Sequence, residues 1–319
     1  MSKVKKIFEK AGGINLIKQY LRMNVFLYAC FALLITGFSH KSLEIFRLLM
    51  EKKIIDKLRK KYRRFIAGYE INKVYSPNNE KYIWICWFQG EENMPDIVKV
   101  CYNSIKKHLS SYNIILITYD NFDSYVNIPD YIIDKYQKGI ISNAHFSDIL
   151  RLELLIRYGG IWIDATVLCT DNNIPKAMLD SDLFVFQTLK PGVDGHTSTI
   201  SNWYISACQN NKILSLTRDL LYEYWNKNNF LIDYFIFHNF FVLACEKYDN
   251  EWKKVLPFTN ETPHILLLNL DKKYDKDSFD AIVNQSCFHK LSYKLSDEVK
   301  NNHHNIYNYL LKDKENINA

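Results

Sequence analysis

The chain has 319 residues, of which 48% are hydrophobic and 24% charged. That balance excludes a disordered chain, a collagen-like repeat and a small disulfide scaffold, and the length allows about two domains. The net charge of +6 hides an asymmetry, because residues 1–70 carry 16 Lys/Arg against 5 Asp/Glu and leave a net of −5 for the remainder. A basic first fifth on an acidic body does not suit a nucleic-acid reader, whose basic residues line the reading face. It suits a segment lying on an anionic leaflet, or a plain solvated helical face. Seven scattered cysteines, an odd number with no C-x-x-C, point to free thiols in a reducing, cytoplasmic setting without a zinc cluster or disulfide framework.

In chain order, the first marked element is Met23 to Phe38, MNVFLYACFALLITGF. It is uncharged, but its 16 residues fall short of the ~20 that a membrane-crossing helix needs. Lys18 and Arg22 on one side and Lys41 on the other set no orientation. The long basic leader and the lack of a small-x-small cleavage site argue against a signal peptide. From Lys41 to Phe65 the apolar residues Ile45, Leu48, Leu49, Ile55, Leu58, Tyr62 and Phe65 recur at helical spacing, with lysines and arginines on the other face. Residues 1–75 therefore read as a basic helical segment. Its first 70 residues either contact a membrane surface or pack a hydrophobic helix on a neighbour.

Residues 76–319 read as an α/β domain. After a linker around Pro77, Lys81 to Phe88 is a β-rich run, Pro95 opens a helix to His108, and Asn113 to Thr118 is a short buried strand. Pro129 marks a helix start, a helical pattern follows Asn143, and Gly159-Gly160 stops it before the strand Ile161 to Ile163. Asp182 to Gln187 and Trp203 to Ala207 read as strands, and Lys212 to Asn226 and Asp233 to Lys247 as helices. Strand–helix alternation in the first half implies a mostly parallel sheet with helices on both faces. Ligands of such sheets sit beyond the carboxyl ends of the strands.

The chemistry concentrates in S-D-I-L-R-L-E-L-L-I-R-Y-G-G-I-W-I-D, Ser147 to Asp164. Asp148 and Arg151, three apart, share one helix face. A carboxylate accepts from sugar hydroxyls and a guanidinium donates in a fixed fork, so the pair suits a polyhydroxylated ligand. Gly159-Gly160 gives a tight turn in a chain with only 10 glycines. Asp164 then stands at a strand tip, where a carboxylate can meet a nucleotide sugar or its metal.

This stretch resembles the DXD sugar-binding group of nucleotide-sugar glycosyltransferases, which includes glycosyltransferase family 32 and the large clostridial glucosylating toxins. I-W-I-D-A-T-V and I-W-I-C-W-F-Q-G-E-E-N-M-P, with K-S-L-E-I-F-R in the N-terminal segment, are similar to the bacterial capsular polysaccharide synthesis glycosyltransferases. The resemblance runs from about Tyr82 to Lys294. It implies a GT-A, Rossmann-like fold and transfer of a sugar, with retention, from a nucleotide-diphosphate donor to a glycan or lipid-linked glycan. It implies catalytic roles for Asp164, Asp148, Arg151 and His238. Donor or acceptor contacts would come from Trp87, Gln89, Ser147, Gly160, Asn202, Asp233 and Lys294. The family's D-x-D reads Asp164-Ala165-Thr166 here, and a hydroxyl is a weaker partner for Mn²⁺ or Mg²⁺ than a carboxylate. The divalent cation would then lean on Asp164 and on His289, from C-F-H-K-L-S-Y-K, with Lys294 on the diphosphate.

Bland readings stand beside these. His289 and Lys294 could be surface residues near the chain end, Trp87 a core aromatic, Gln89 a turn residue and His238 a satisfied core histidine. The polar stretch G-V-D-G-H-T-S-T ending at Thr199 could cover the site. The competing function is a non-catalytic, membrane-associated scaffold of capsule assembly with a degenerate glycosyltransferase fold. No Walker loop, G-x-S-x-G or H-E-x-x-H occurs.

Overall fold

The computed structural model describes residues 13–71, 73–77, 80–188 and 200–312. The stretch from Gly192 to Thr199, expected to cover the site, lies outside them.

Three helices open the described chain: α1 (Gly13–Arg22), α2 (Phe26–Thr36) and α3 (His40–Ala67). The Ser39 side chain caps α3 by accepting from the Ser42 amide, which supplies a partner to one of the amides a helix start leaves unpaired. Met50, Ile54, Ile55, Leu58 and Tyr62 form the buried face of α3. The expected members Ile45 and Leu48 stay outside, so the apolar pattern is inward-facing only over the later turns. No helix among the described residues is long and apolar enough to cross a membrane.

The central sheet has the order β2-β1-β3-β6-β5-β7, with β1 at Tyr82–Cys86, β2 at Asn113–Ile117, β3 at Gly160–Ile163, β5 at Leu183–Gln187, β6 at Ile200–Ala207 and β7 at Phe258–Thr259. β1 runs parallel to both β2 and β3, and β5 parallel to β7. β6 is antiparallel to its two neighbours. The parallel half follows from its crossovers. Helix α4 (Asp96–His108) links β1 to β2, and α5 (Asp130–Gln137) and α6 (Asn143–Tyr158) lie between β2 and β3. A second sheet pairs β4 (Val167–Cys169) with β8 (Phe288–Lys290), antiparallel. These three-residue strands are too short to show a period, and the sequence gives no sign of them. The α/β class expected from the sequence is present, with helices linking the parallel strands of the first half.

Side chains alternate across the sheet. Trp84 and Trp162 enter a core built with α3, α6, α7 (Lys212–Lys227) and α8 (Ile236–Lys247), and Ile83, Ile85, Ile161 and Ile163 enter a second core on the opposite face. The basic N-terminal segment joins the first core. The Tyr62 ring stands edge-on to Phe240 at 5.1 Å, and the Arg59 guanidinium reaches Glu246 at 2.7 Å. From Asp148 to Ile156 helix α6 is buried all round, so its charged residues there must find partners within the protein.

Candidate functional site

A cavity of about 480 Å³ opens beyond the carboxyl ends of β1 and β3, the position expected for a ligand of a parallel sheet. Its floor is a chain of charges. Asp148 and Arg151 project from α6, 9% and 3% exposed, one turn apart. Arg151 Nη1 donates to Asp148 Oδ1 at 2.6 Å and Nη2 donates to Asp164 Oδ1 at 3.1 Å, so one guanidinium bridges the two carboxylates. Its Cζ lies 4.7 Å from the centre of the Trp162 ring, a cation–π contact that holds the fork flat. Asn202, on β6, donates to Asp148 Oδ1 at 2.9 Å.

Asp164 follows β3 directly. Its amide donates to the Trp203 carbonyl at 2.8 Å, which ties the strand tip to β6. Trp162 Nε1 donates to Oδ1 at 2.9 Å, and Lys290 Nζ stands 3.3 Å from Oδ2. Lys290 also donates to Thr166 Oγ1 at 2.5 Å. The β4–β8 ribbon delivers it, because Val167 is paired with Lys290 and the Leu291 amide donates to the Thr166 carbonyl.

Trp87 and Gln89, just past β1, line the cavity with Ser147 and His238. Trp87 makes an edge-to-face pair with Tyr293 at 5.4 Å. Ser147 Oγ donates to the Ala144 carbonyl. The buried Nδ1 of His238 has no hydrogen-bond partner. Burial pulls this imidazole down from its ordinary value to about 4, the nearby Arg151 charge adding to the drop and Asp148 opposing it. His238 is therefore neutral near pH 7.

Four expected site residues lie elsewhere. Gly160 is at the far end of β3, roughly 13 Å along the strand from Asp164. It has φ +93°, and a Cβ there would meet the Tyr82 carbonyl oxygen at 2.4 Å, so the glycine serves a close approach of strands away from this cavity. Asp233 accepts from the Phe235 amide and, at 3.4 Å, from Asn239, organising the entry to α8 outside the cavity lining. Lys294 is exposed, with its ammonium over the neighbouring Tyr293 ring. His289 is fully buried, with Nε2 3.3 Å from both Thr170 Oγ1 and the Val283 carbonyl oxygen, and it does not line the cavity. Strand alternation explains the last: His289 and Lys290 point to opposite faces of β8, and the residue facing the cavity is Lys290.

Sequence reasoning missed Lys290, His145 and the exposed Tyr234, all of which line the cavity. His145 is 5% exposed, has no hydrogen-bond partner on either nitrogen, and faces the Tyr234 ring edge. The i, i+3 spacing of His145 and Asp148 was available as a signal. The placement of Lys290 was not, because it depends on the ribbon.

Metal ligation meets this arrangement poorly. Asp164 Oδ1 already accepts two hydrogen bonds and Oδ2 faces an ammonium, Thr166 Oγ1 is taken by the same lysine, and Asp148 Oδ1 accepts from both Arg151 and Asn202, which leaves Asp148 only Oδ2. Among the described residues no three His, Cys, Asp or Glu side chains gather to hold an ion. The donors present do not fit a divalent cation, which takes several oxygen ligands.

The chain is 25% identical over 168 residues to the O-glycosyltransferase braB of Annulohypoxylon truncatum, an overlap of 46% of this chain and 38% of that protein. The chain thus spans well under half the length of that relative. Among solved structures, the PaToxG glycosyltransferase superposes with a TM-score of 0.34 at 17% identity, covering 83% of this chain and 97% of that one, a likeness too low to carry an argument. The family profile described as capsular polysaccharide synthesis protein matches residues 36–310. The chain belongs to the capsular polysaccharide synthesis protein family.

Proposed function

We propose that the protein is a glycosyltransferase that moves a sugar from a nucleotide-diphosphate donor to a hydroxyl of a growing surface glycan, with retention. The observation that carries this reading is the Asp148–Arg151–Asp164–Lys290 chain at the strand tips, beneath a cavity large enough for a nucleotide sugar. The aromatic pair Trp87 and Tyr293 at the cavity wall offers a stacking face for the base. Asp148 and Asn202 offer acceptor and donor atoms to sugar hydroxyls. In the transfer, the bond between the anomeric carbon and the β-phosphate oxygen breaks, and its electron pair leaves with the nucleoside diphosphate. The acceptor oxygen bonds to that carbon from the same face, and its proton passes to the departing oxygen. Fixed positive charge aimed at the leaving group is the electrostatic stabilisation such a step needs.

The direct test is hydrolysis of a panel of nucleotide sugars by the purified protein, alone and with Mn²⁺. One donor should turn over, and Asp164→Ala should lower its turnover at least about a hundredfold while the protein stays folded. Unchanged turnover in that variant would reject the assignment. The scaffold reading predicts neither turnover nor thermal stabilisation by any nucleotide.

We further propose contact with an anionic membrane surface, at the cytoplasmic leaflet. Helix α2 buries Ala29 and Ala32 and turns Leu27, Phe31, Leu34 and Ile35 outward, Leu27 being 83% exposed. Phe38, Ile45 and Leu48 are exposed as well, and so are Lys41 and Arg47 in the same stretch of sequence. An apolar stripe flanked by cations lies in a headgroup region without crossing it. The protein should co-sediment with phosphatidylserine-containing vesicles and release at high salt. Triple replacement of Leu27, Phe31 and Leu34 by serine should abolish binding but not donor hydrolysis. Vesicle binding that survives the triple change would refute this surface.

A further inference from the structure

We infer that the Lys290 ammonium occupies the cation position of the site, so that donor diphosphate is held and released without a divalent metal. This inference rests on the nucleotide-sugar reading above. Lys290 Nζ lies between Asp164 Oδ2, at 3.3 Å, and Thr166 Oγ1, at 2.5 Å. These are the first and third positions of the Asp-x-Thr turn, whose closing bond runs from the Val167 amide to the Asp164 carbonyl. An aspartate at position 166 would give that turn two carboxylates around one point, an arrangement that demands a dication. Threonine removes one negative charge, and a single ammonium then balances Asp164.

The ribbon makes the substitution structural. Lys290 is pinned by β4–β8 pairing and is mostly buried, so its charge is held in place rather than swinging on a free stem. One of the ammonium's three donors serves Thr166, Asp164 Oδ2 balances its charge at 3.3 Å, and a donor remains for a phosphate oxygen. Arg151, the other cation of the cavity floor, spends one donor on Asp148 and one on Asp164 and keeps a buried Nε without a partner. Lys290, the less enclosed of the two cations, is the one placed to meet the leaving diphosphate. When that group departs with its electron pair, the ammonium meets the added charge with a hydrogen bond already oriented.

The test is binding of UDP, GDP, ADP and dTDP by calorimetry, with EDTA and with Mn²⁺, alongside titration of the free protein with Mn²⁺ alone. Expected are an affinity for one nucleoside diphosphate that changes less than about twofold between EDTA and Mn²⁺, and no saturable Mn²⁺ binding. Lys290→Met, which keeps the apolar stem on β8, should weaken that nucleotide roughly tenfold to a hundredfold, the loss of one charge-assisted hydrogen bond. Lys290→Arg should retain most of the affinity. The double change Thr166→Asp with Lys290→Ala should create saturable Mn²⁺ binding and make nucleotide binding Mn²⁺-dependent. Wild-type binding that vanishes in EDTA and returns with Mn²⁺ would overturn the lysine assignment while leaving the donor reading intact, as would full affinity in Lys290→Met. Failure of all four nucleotides under both conditions would overturn the donor reading, and this inference with it.

Discussion

Arg151 is the residue on which the cavity floor depends. It lies 3% exposed between two carboxylates and over an indole ring, so its removal takes from both acids their shared guanidinium partner. Arg151→Met should therefore destabilise the fold by about 3–5 kcal/mol, as loss of one partner from a buried ion pair does. Asn202→Ala, which removes one neutral donor from Asp148, should lower stability by about 1–2 kcal/mol. Denaturant midpoints of the two variants would check the ranking, and an Arg151→Met protein as stable as the wild type would contradict the bridging role. Lysine is no substitute, because a point charge cannot span two carboxylates as the planar fork does.

At the scale of elements, the tight spot is where α6 turns into β3. Gly159 and Gly160 both have positive φ, and the second brings its backbone against Tyr82 so closely that no side chain fits. Gly160→Ala should combine left-handed strain with a backbone clash and destabilise by roughly 3 kcal/mol or more, which thermal unfolding would read. Gly90→Ala is the control: it shares positive φ but has open space around it, so only the strain of about 1 kcal/mol remains. Equal losses in the two variants would remove the clash from the account. The β4–β8 ribbon is the other decisive element, since it sends Lys290 toward the cavity and His289 into the core.

For the molecule as a whole, buried histidines set the response to acid. Burial drops His238 and His289 to about 4. His264 is lowered as well. Unfolded histidines titrate near 6.5, so between about pH 6.5 and pH 4 the unfolded chain binds protons that the native one refuses. Stability is complete above that window and falls as pH drops through it, by up to about 2.7 kcal/mol per pH unit for the two strongly shifted groups. Burial raises Glu153 and Asp233 instead, and these carboxyls act in the opposite sense, taking a proton more readily when folded. The two strongly shifted histidines refuse protons over this range, so chemical-denaturation stability measured from pH 7 to pH 4.5 should decline, and His238→Gln should flatten the slope. A level profile would show that these imidazoles are not sealed from protons.

Local patterns determined most of the elements. The helical spacing of Ile149, Leu152 and Ile156, the branched runs at Ile83 and Ile114, and the double glycine are short-range signals that tertiary packing had only to accept. The same locality made Asp148, Arg151 and Asp164 legible, because one helix turn and one short strand fix their separation. Tertiary structure alone decided which C-terminal residue meets them, since two three-residue strands more than a hundred residues apart had to pair before Lys290 and His289 took opposite faces. Nor could spacing tell that α3 would bury its later turns and leave Ile45 and Leu48 outside. Sequence period says which residues share a face, and only the packed neighbours say which face is covered.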